Sequence, residues 1–292
     1  MSSQRTDLAT TLRAAVWMTG AIASFTAMAI AGRAVSFALD TFEIMFYRSL
    51  IGILIVGSVA LGTGKWREIT NRNLGLHFGR NLAHFAGQNL WFFAITVIPL
   101  AQVFALEFTT PIWVILLSPI FLAEPIRKAG VIAAVMGFAG ILIVARPSPE
   151  SLNIGLLTAA LSAVCFAFTA VFTRRLTRTE TITCILFYLT SMQAVFGLVF
   201  AGYDGDLALP DLTTAPWLAL IGCAGLLAHF CLTNALRIAP ASIVMPIDFA
   251  RLPVIAVVGA LFYSEPLDAL VFLGAALIFA GNWINISRSA KA

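Results

Sequence analysis

Ten apolar runs, each about twenty residues long and divided by short polar breaks, leave this 292-residue chain few ways to fold. The hydrocarbon core of a bilayer is about 30 Å thick, and a helix rising 1.5 Å per residue crosses it in about twenty residues. No water there satisfies backbone N–H and C=O groups, so such runs must be helices. They fall at 14–32, 44–62, 74–96, 99–122 and 126–145, then at 154–173, 184–202, 215–236, 240–263 and 267–286. Turn chemistry separates them: Gly62 and Gly64, Pro99, Glu124-Pro125, Pro147 and Pro149, Asp204 to Asp206, Pro240, and Glu265-Pro266. With 60% hydrophobic and 11% charged residues, against roughly 25% charged in soluble domains, a water-soluble fold is excluded. Arg5 and Arg13 before the first run invite comparison with a signal peptide. The run from Ala14 to Ala31 is too long for one and further spans follow, so it reads as a retained helix.

The basic residues orient the spans. With the N-terminus inside, thirteen of the eighteen Lys and Arg fall at cytoplasmic ends, among them Lys65, Arg67, Arg72, Arg127, Lys128, Arg174, Arg175, Arg178 and Arg237. Only Arg33 and Arg146 fall outside, the asymmetry that the positive-inside rule requires. Arg48, Arg80 and Arg251 remain within spans. This scatter forms no basic stripe, so the +4 net charge reports membrane orientation and not a nucleic-acid partner. The expected location is the cytoplasmic (inner) membrane, with both termini cytoplasmic.

The chain also repeats itself. At a shift of 240 − 99 = 141 residues, Pro99 meets Pro240, Glu107-Phe108 meets Asp248-Phe249, and Glu124-Pro125 meets Glu265-Pro266. The same register pairs Phe25 with Phe166, Arg33 with Arg174, Phe46-Tyr47 with Phe187-Tyr188, and Ala139-Gly140 with Ala280-Gly281. Each repeat holds five spans, an odd number, so the second must cross in the opposite sense. The expected fold is therefore an all-α integral membrane protein of ten transmembrane helices, built as two inverted five-helix repeats at 14–146 and 154–287. Inverted repeats let one central site face each side in turn, which is the architecture of secondary transporters.

The segments FALEFTTPIWVILLSPIFLAEP and APASIVMPIDFARLPVIAVVGALFYSEP carry a family likeness. Together with the ten-span, two-repeat plan they resemble the EamA branch of the drug/metabolite transporter superfamily. That resemblance implies transport of a small polar organic metabolite. Substrates of the branch include amino acids, nucleotide-related compounds, S-adenosylmethionine and vitamins such as riboflavin. No cofactor is implied.

Ionisable groups within a bilayer are costly unless paired or hydrated, so they are the first site candidates. Glu107 and Asp248 each lie eight residues into their span, roughly 12 Å deep from opposite sides, which places both near the midplane. Arg251, one turn after Asp248, can pair with that carboxylate or hold an anionic substrate group. The acids could also carry a proton, and another coupling ion is an open alternative. In the third span His77, Arg80 or Asn81, His84 and Gln88 share a face, and that stripe must turn inward. His84 and Gln88 are deep enough to touch substrate, whereas His77 and Arg80 are expected at a gate or against headgroups. His229 in the eighth span is a further candidate. Of the tryptophans, Trp91 reads as an interfacial anchor and Trp113, two residues after Pro111, as the aromatic most suited to packing on substrate.

Other readings are weaker. His77 and His84 stand nearly two turns apart with no cysteine joining them, so no metal site is expected. Cys165, Cys184, Cys223 and Cys231 all fall in apolar segments, as small core residues. A membrane-embedded enzyme lacks any HExxH or G-x-S-x-G motif, and a channel lacks a filter or charge ring.

Overall fold

A computed structural model describes residues 8–145, 153–203 and 207–263, with part of 270–284. Among the described residues there is no β-strand. The first half comprises α1 (Leu8–Val35), α2 (Thr41–Gly62), α3 (Leu74–Val97), α4 (Leu100–Glu107), α5 (Thr110–Leu122) and α6 (Lys128–Ala145). The second comprises α7 (Ile154–Leu176), α8 (Ile182–Ala201), α9 (Ala215–Ile238), α10 (Ala241–Ile247) and α11 (Arg251–Tyr263). Five of these, α1, α2, α7, α8 and α9, are long and apolar enough to cross a membrane. The turns at Asp204 to Asp206 and Glu265-Pro266, and part of the tenth run, lie outside the described residues.

Local chemistry fixes several ends. Asp40 caps α2 by accepting from the N–H groups of Phe42 and Glu43, while Glu43 Oε2 accepts from the Asp40 N–H at 2.9 Å, a reciprocal capping box. The other oxygen of Glu43 accepts from the Ala208 N–H at 2.6 Å and so ties the two halves together. Asn153 and Thr181 cap α7 and α8.

The fourth and ninth runs are interrupted beside Glu107 and Asp248, where Pro111 and Pro253 stand in the sequence. The fourth breaks between α4 and α5, and the ninth passes through a 3-10 turn at Asp248–Ala250 between α10 and α11. Pro111 explains the first break: it lies in the first turn of α5, where its missing N–H has no intrahelical use. The carbonyl of Glu107 thereby loses its i+4 donor, and the Thr110 hydroxyl donates to it instead at 2.5 Å.

The principal helix pairings all join one half to the other. α1 packs on α9, α3 on α7 and α2 on α8, while α4 meets α11 and α5 meets α10. Exchanging the halves leaves this set unchanged, since α1 corresponds to α7, α3 to α9, α4 to α10 and α5 to α11. The α2–α8 contact is close enough that a Cβ on Gly197 would stand 2.8 Å from the Phe46 backbone. Polarity runs inside out. Val16, Leu54, Leu61, Ile120 and Val195 are exposed on the perimeter, while Arg48, His77, Arg80, Asn81, His84, Gln88 and Arg251 are buried, the distribution expected of a bundle solvated by lipid.

The interior also corrects two expectations. His77 and Arg80 are fully buried, not turned to headgroups. Arg80 donates from Nε to the Thr173 hydroxyl at 3.1 Å and from Nη1 to Asn81 Oδ1 at 2.7 Å, so its fork links α3 to α7. Of the four cysteines, Cys184 and Cys231 are buried, Cys165 is partly so, and Cys223 faces outward.

Candidate functional site

The broken helices bring three ionisable groups together. Arg251 opens α11 and donates through Nη2 to Glu107 Oε1 at 2.5 Å, at the end of α4, and to Asp248 Oδ2 at 2.6 Å, in the preceding turn. Two carboxylates thus share one guanidinium, and Arg251 is 2% exposed. The rings of Phe25, Phe104 and Phe108 surround its Cζ at 5.0–5.3 Å, in cation–π range. Glu107 is held from its other side by the indole N–H of Trp91, donating to Oε2 at 2.6 Å.

One cavity of about 60 Å³ borders this triad among α1, α3, α7, α9 and the broken helices. Six of the seven residues singled out from sequence line it: His84, Gln88, Glu107, His229, Asp248 and Arg251. Its remaining wall is largely apolar and includes Phe25, Phe166 and Phe108. The two imidazoles meet edge to face with ring centroids 4.6 Å apart. Phe25 makes an edge contact with His229, and Phe166 packs beside His84. Phe25 and Phe166 are register mates, so each half supplies one aromatic wall and backs one histidine.

Among the described residues twelve buried side-chain N and O atoms have no hydrogen-bond partner, and six of them lie on this cavity: both ring nitrogens of His84, both of His229, Asp248 Oδ1 and Arg251 Nε. Buried polar groups are normally satisfied. Their concentration here leaves a set of donors and acceptors for a polar ligand.

Trp113 is not brought to this cavity. It is 40% exposed and lines an outward groove with Leu106, Leu116, Val131 and Phe138. Six residues after Glu107, Trp113 stands about 120° round the helix from the face that Glu107, Thr110 and Pro111 present to the cavity. Trp91, read as an interfacial anchor, is 2% exposed and lines the cavity. Its spacing, three residues after Gln88 on the polar face of α3, was the available signal. Phe25 and Phe166 were marked only as a repeated pair.

A family profile described as the EamA-like transporter family matches residues 12–146 and again 153–287. The chain is 30% identical over 243 residues to a riboflavin transporter of Brucella anthropi, covering 82% of this chain and 85% of that one. It is 24% identical to an S-adenosylmethionine uptake transporter of Rickettsia bellii, over 94% of each chain. One solved crystal structure superposes with a TM-score of 0.78 at 17% identity, over 95% of this chain and 98% of the other, a likeness of fold alone.

Proposed function

The chain belongs to the EamA-like transporter family, and from that premise we propose that it carries a small polar metabolite bearing a flat nitrogen heteroaromatic ring, by alternating access. The family is one of transporters, not of enzymes, and the protein is a multi-pass membrane protein. The observation that carries the substrate reading is the chemistry of the cavity's lining, in a conformation narrower than the bound one. Aromatic walls from Phe25, Phe166 and Phe108 suit a planar ring, and the unpartnered nitrogens of His84 and His229 suit the donors and acceptors at its edge. Riboflavin and S-adenosylmethionine, for which the two relatives are named, both contain such a ring. Gln88 and Arg251 meet the polar remainder, while Glu107 and Asp248 set the field around it.

We read the transport machinery as ten spans in two inverted repeats, lying in the cytoplasmic membrane with both termini inside. The broken fourth and ninth spans meet at the midplane, and each half rocks about the shared triad. Discontinuous helices at the centre of a repeat pair are the usual place for a substrate site.

The test is direct binding to purified protein in detergent, comparing riboflavin, S-adenosylmethionine and amino acids that lack a heteroaromatic ring. Saturable binding of a heteroaromatic compound, weakened in His84→Leu and His229→Leu, is expected. Binding confined to plain amino acids would overturn the substrate assignment.

A further inference from the structure

Away from the central cavity, a second cluster joins the halves where α3 begins. His77 comes from the first turn of α3, Glu180 from the turn after α7, and Cys184 from the first turn of α8. We propose that His77 Nε2, a Glu180 carboxylate oxygen and Cys184 Sγ bind a divalent transition metal of the zinc class, clasping the two repeats at this end of the bundle. The three ligand atoms lie within 4.8 Å of one another, and all three residues are buried.

The donor set selects the metal. An imidazole, a thiolate and a carboxylate form the mixed N, S and O site that zinc accepts, whereas magnesium and calcium take oxygen ligands. In a tetrahedral site with bonds of about 2.05 Å to nitrogen and 2.3 Å to sulfur, those two atoms stand about 3.6 Å apart. Here His77 Nε2 and Cys184 Sγ are separated by 3.9 Å.

The surroundings orient the ligands. Thr70 Oγ1 donates to Glu180 Oε2 at 2.9 Å and Asn73 Nδ2 donates to Oε1 at 2.6 Å, fixing the carboxylate as outer partners of metal ligands do. The His77 ring is held against Tyr188 with centroids 4.4 Å apart. Cys184 Sγ donates to the Thr70 carbonyl oxygen at 3.6 Å, which holds the sulfur in place beside His77. Glu180 also lines an outer groove beside Lys65 and Glu68, which gives an ion a way in. His77 and Cys184 take no part in the central site, so the clasp stands or falls independently of the substrate reading.

The experiment uses tag-free, chelator-treated protein. Zinc added in slight excess and then removed from bulk by gel filtration should remain at about one equivalent per chain and raise the unfolding temperature. In Cys184→Ser and His77→Gln both effects should vanish. Cobalt serves as a second probe that does not depend on stability: bound through Sγ it gives a thiolate-to-metal charge-transfer band, which Cys184→Ser should abolish. Zinc retained equally by the wild type and both variants would overturn the proposal, as would a wild type that retains none or cobalt bound without the thiolate band.

Discussion

Removing the Arg251 side chain is the severest single test of the triad. Glu107 Oε1 and Asp248 Oδ2 both bond the same nitrogen, so the two oxygens lie within about 5 Å of each other. In Arg251→Ala those carboxylates face one another without their cation. At an effective dielectric of about 20 their repulsion is roughly 3 kcal/mol. Breaking a buried pair by deleting one partner costs about 3–5 kcal/mol, and the two figures agree because both describe uncompensated buried charge. The loss should be relieved by removing the charges left behind. Arg251→Met combined with Glu107→Gln and Asp248→Asn should return to within about 1 kcal/mol of the wild type, since a neutral set of similar volume carries no such burden. Equilibrium unfolding in mixed micelles of mild detergent and dodecyl sulfate measures both variants. The argument is refuted if Arg251→Ala is as stable as the wild type, or if the triple variant is as unstable as the single one.

Three further outcomes follow from other parts of the molecule. Gly197→Ala should destabilise by about 1–3 kcal/mol in the same unfolding assay, because its Cβ would meet Phe46 backbone at 2.8 Å and backbone yields poorly. Trp113→Leu should leave binding of the heteroaromatic ligand unchanged, whereas Phe166→Leu, removing one aromatic wall, should weaken it roughly 2- to 12-fold by titration. Outside the spans, hydrogen bonds from Thr213 and Thr214 lower the Asp211 carboxyl to about 2 from its ordinary 3.8. Any support Asp211 gives the start of α9 is therefore complete above pH 3.8 and lost as pH falls through about 2; a carboxyl carbon-13 titration with a midpoint near 4 would contradict this.

Much of this was legible because lipid imposes simple periodicities. The polar stripe of α3 stands out against apolar neighbours at spacings of three and four, and the 141-residue register brings Glu107 and Asp248 into correspondence. What escaped had no such signature. Trp113 was misjudged from its nearness to Pro111, although six residues after Glu107 it stands about 120° round the helix from that inward face. Trp91 was hidden by an apolar setting that resembles an interfacial belt, although it extends the polar stripe by one step. His77, Glu180 and Cys184 lie on three separate stretches of chain, so no spacing rule joins them; the packing of α3 on α7 and α8 brings those stretches together.

The exchange of partners between halves also dictates an order of events during synthesis. The polar face of α3 is complete once Val97 has left the ribosome, but α7, its main packing partner, ends at Leu176. At 5–20 residues per second the intervening stretch, about 80 residues, takes roughly 4–16 s. Through that interval His77, Arg80, Asn81, His84 and Gln88 have none of their final neighbours from the second half. The nascent first half must therefore wait beside the insertion machinery, or with water around that face, and neither half can mature as an autonomous unit.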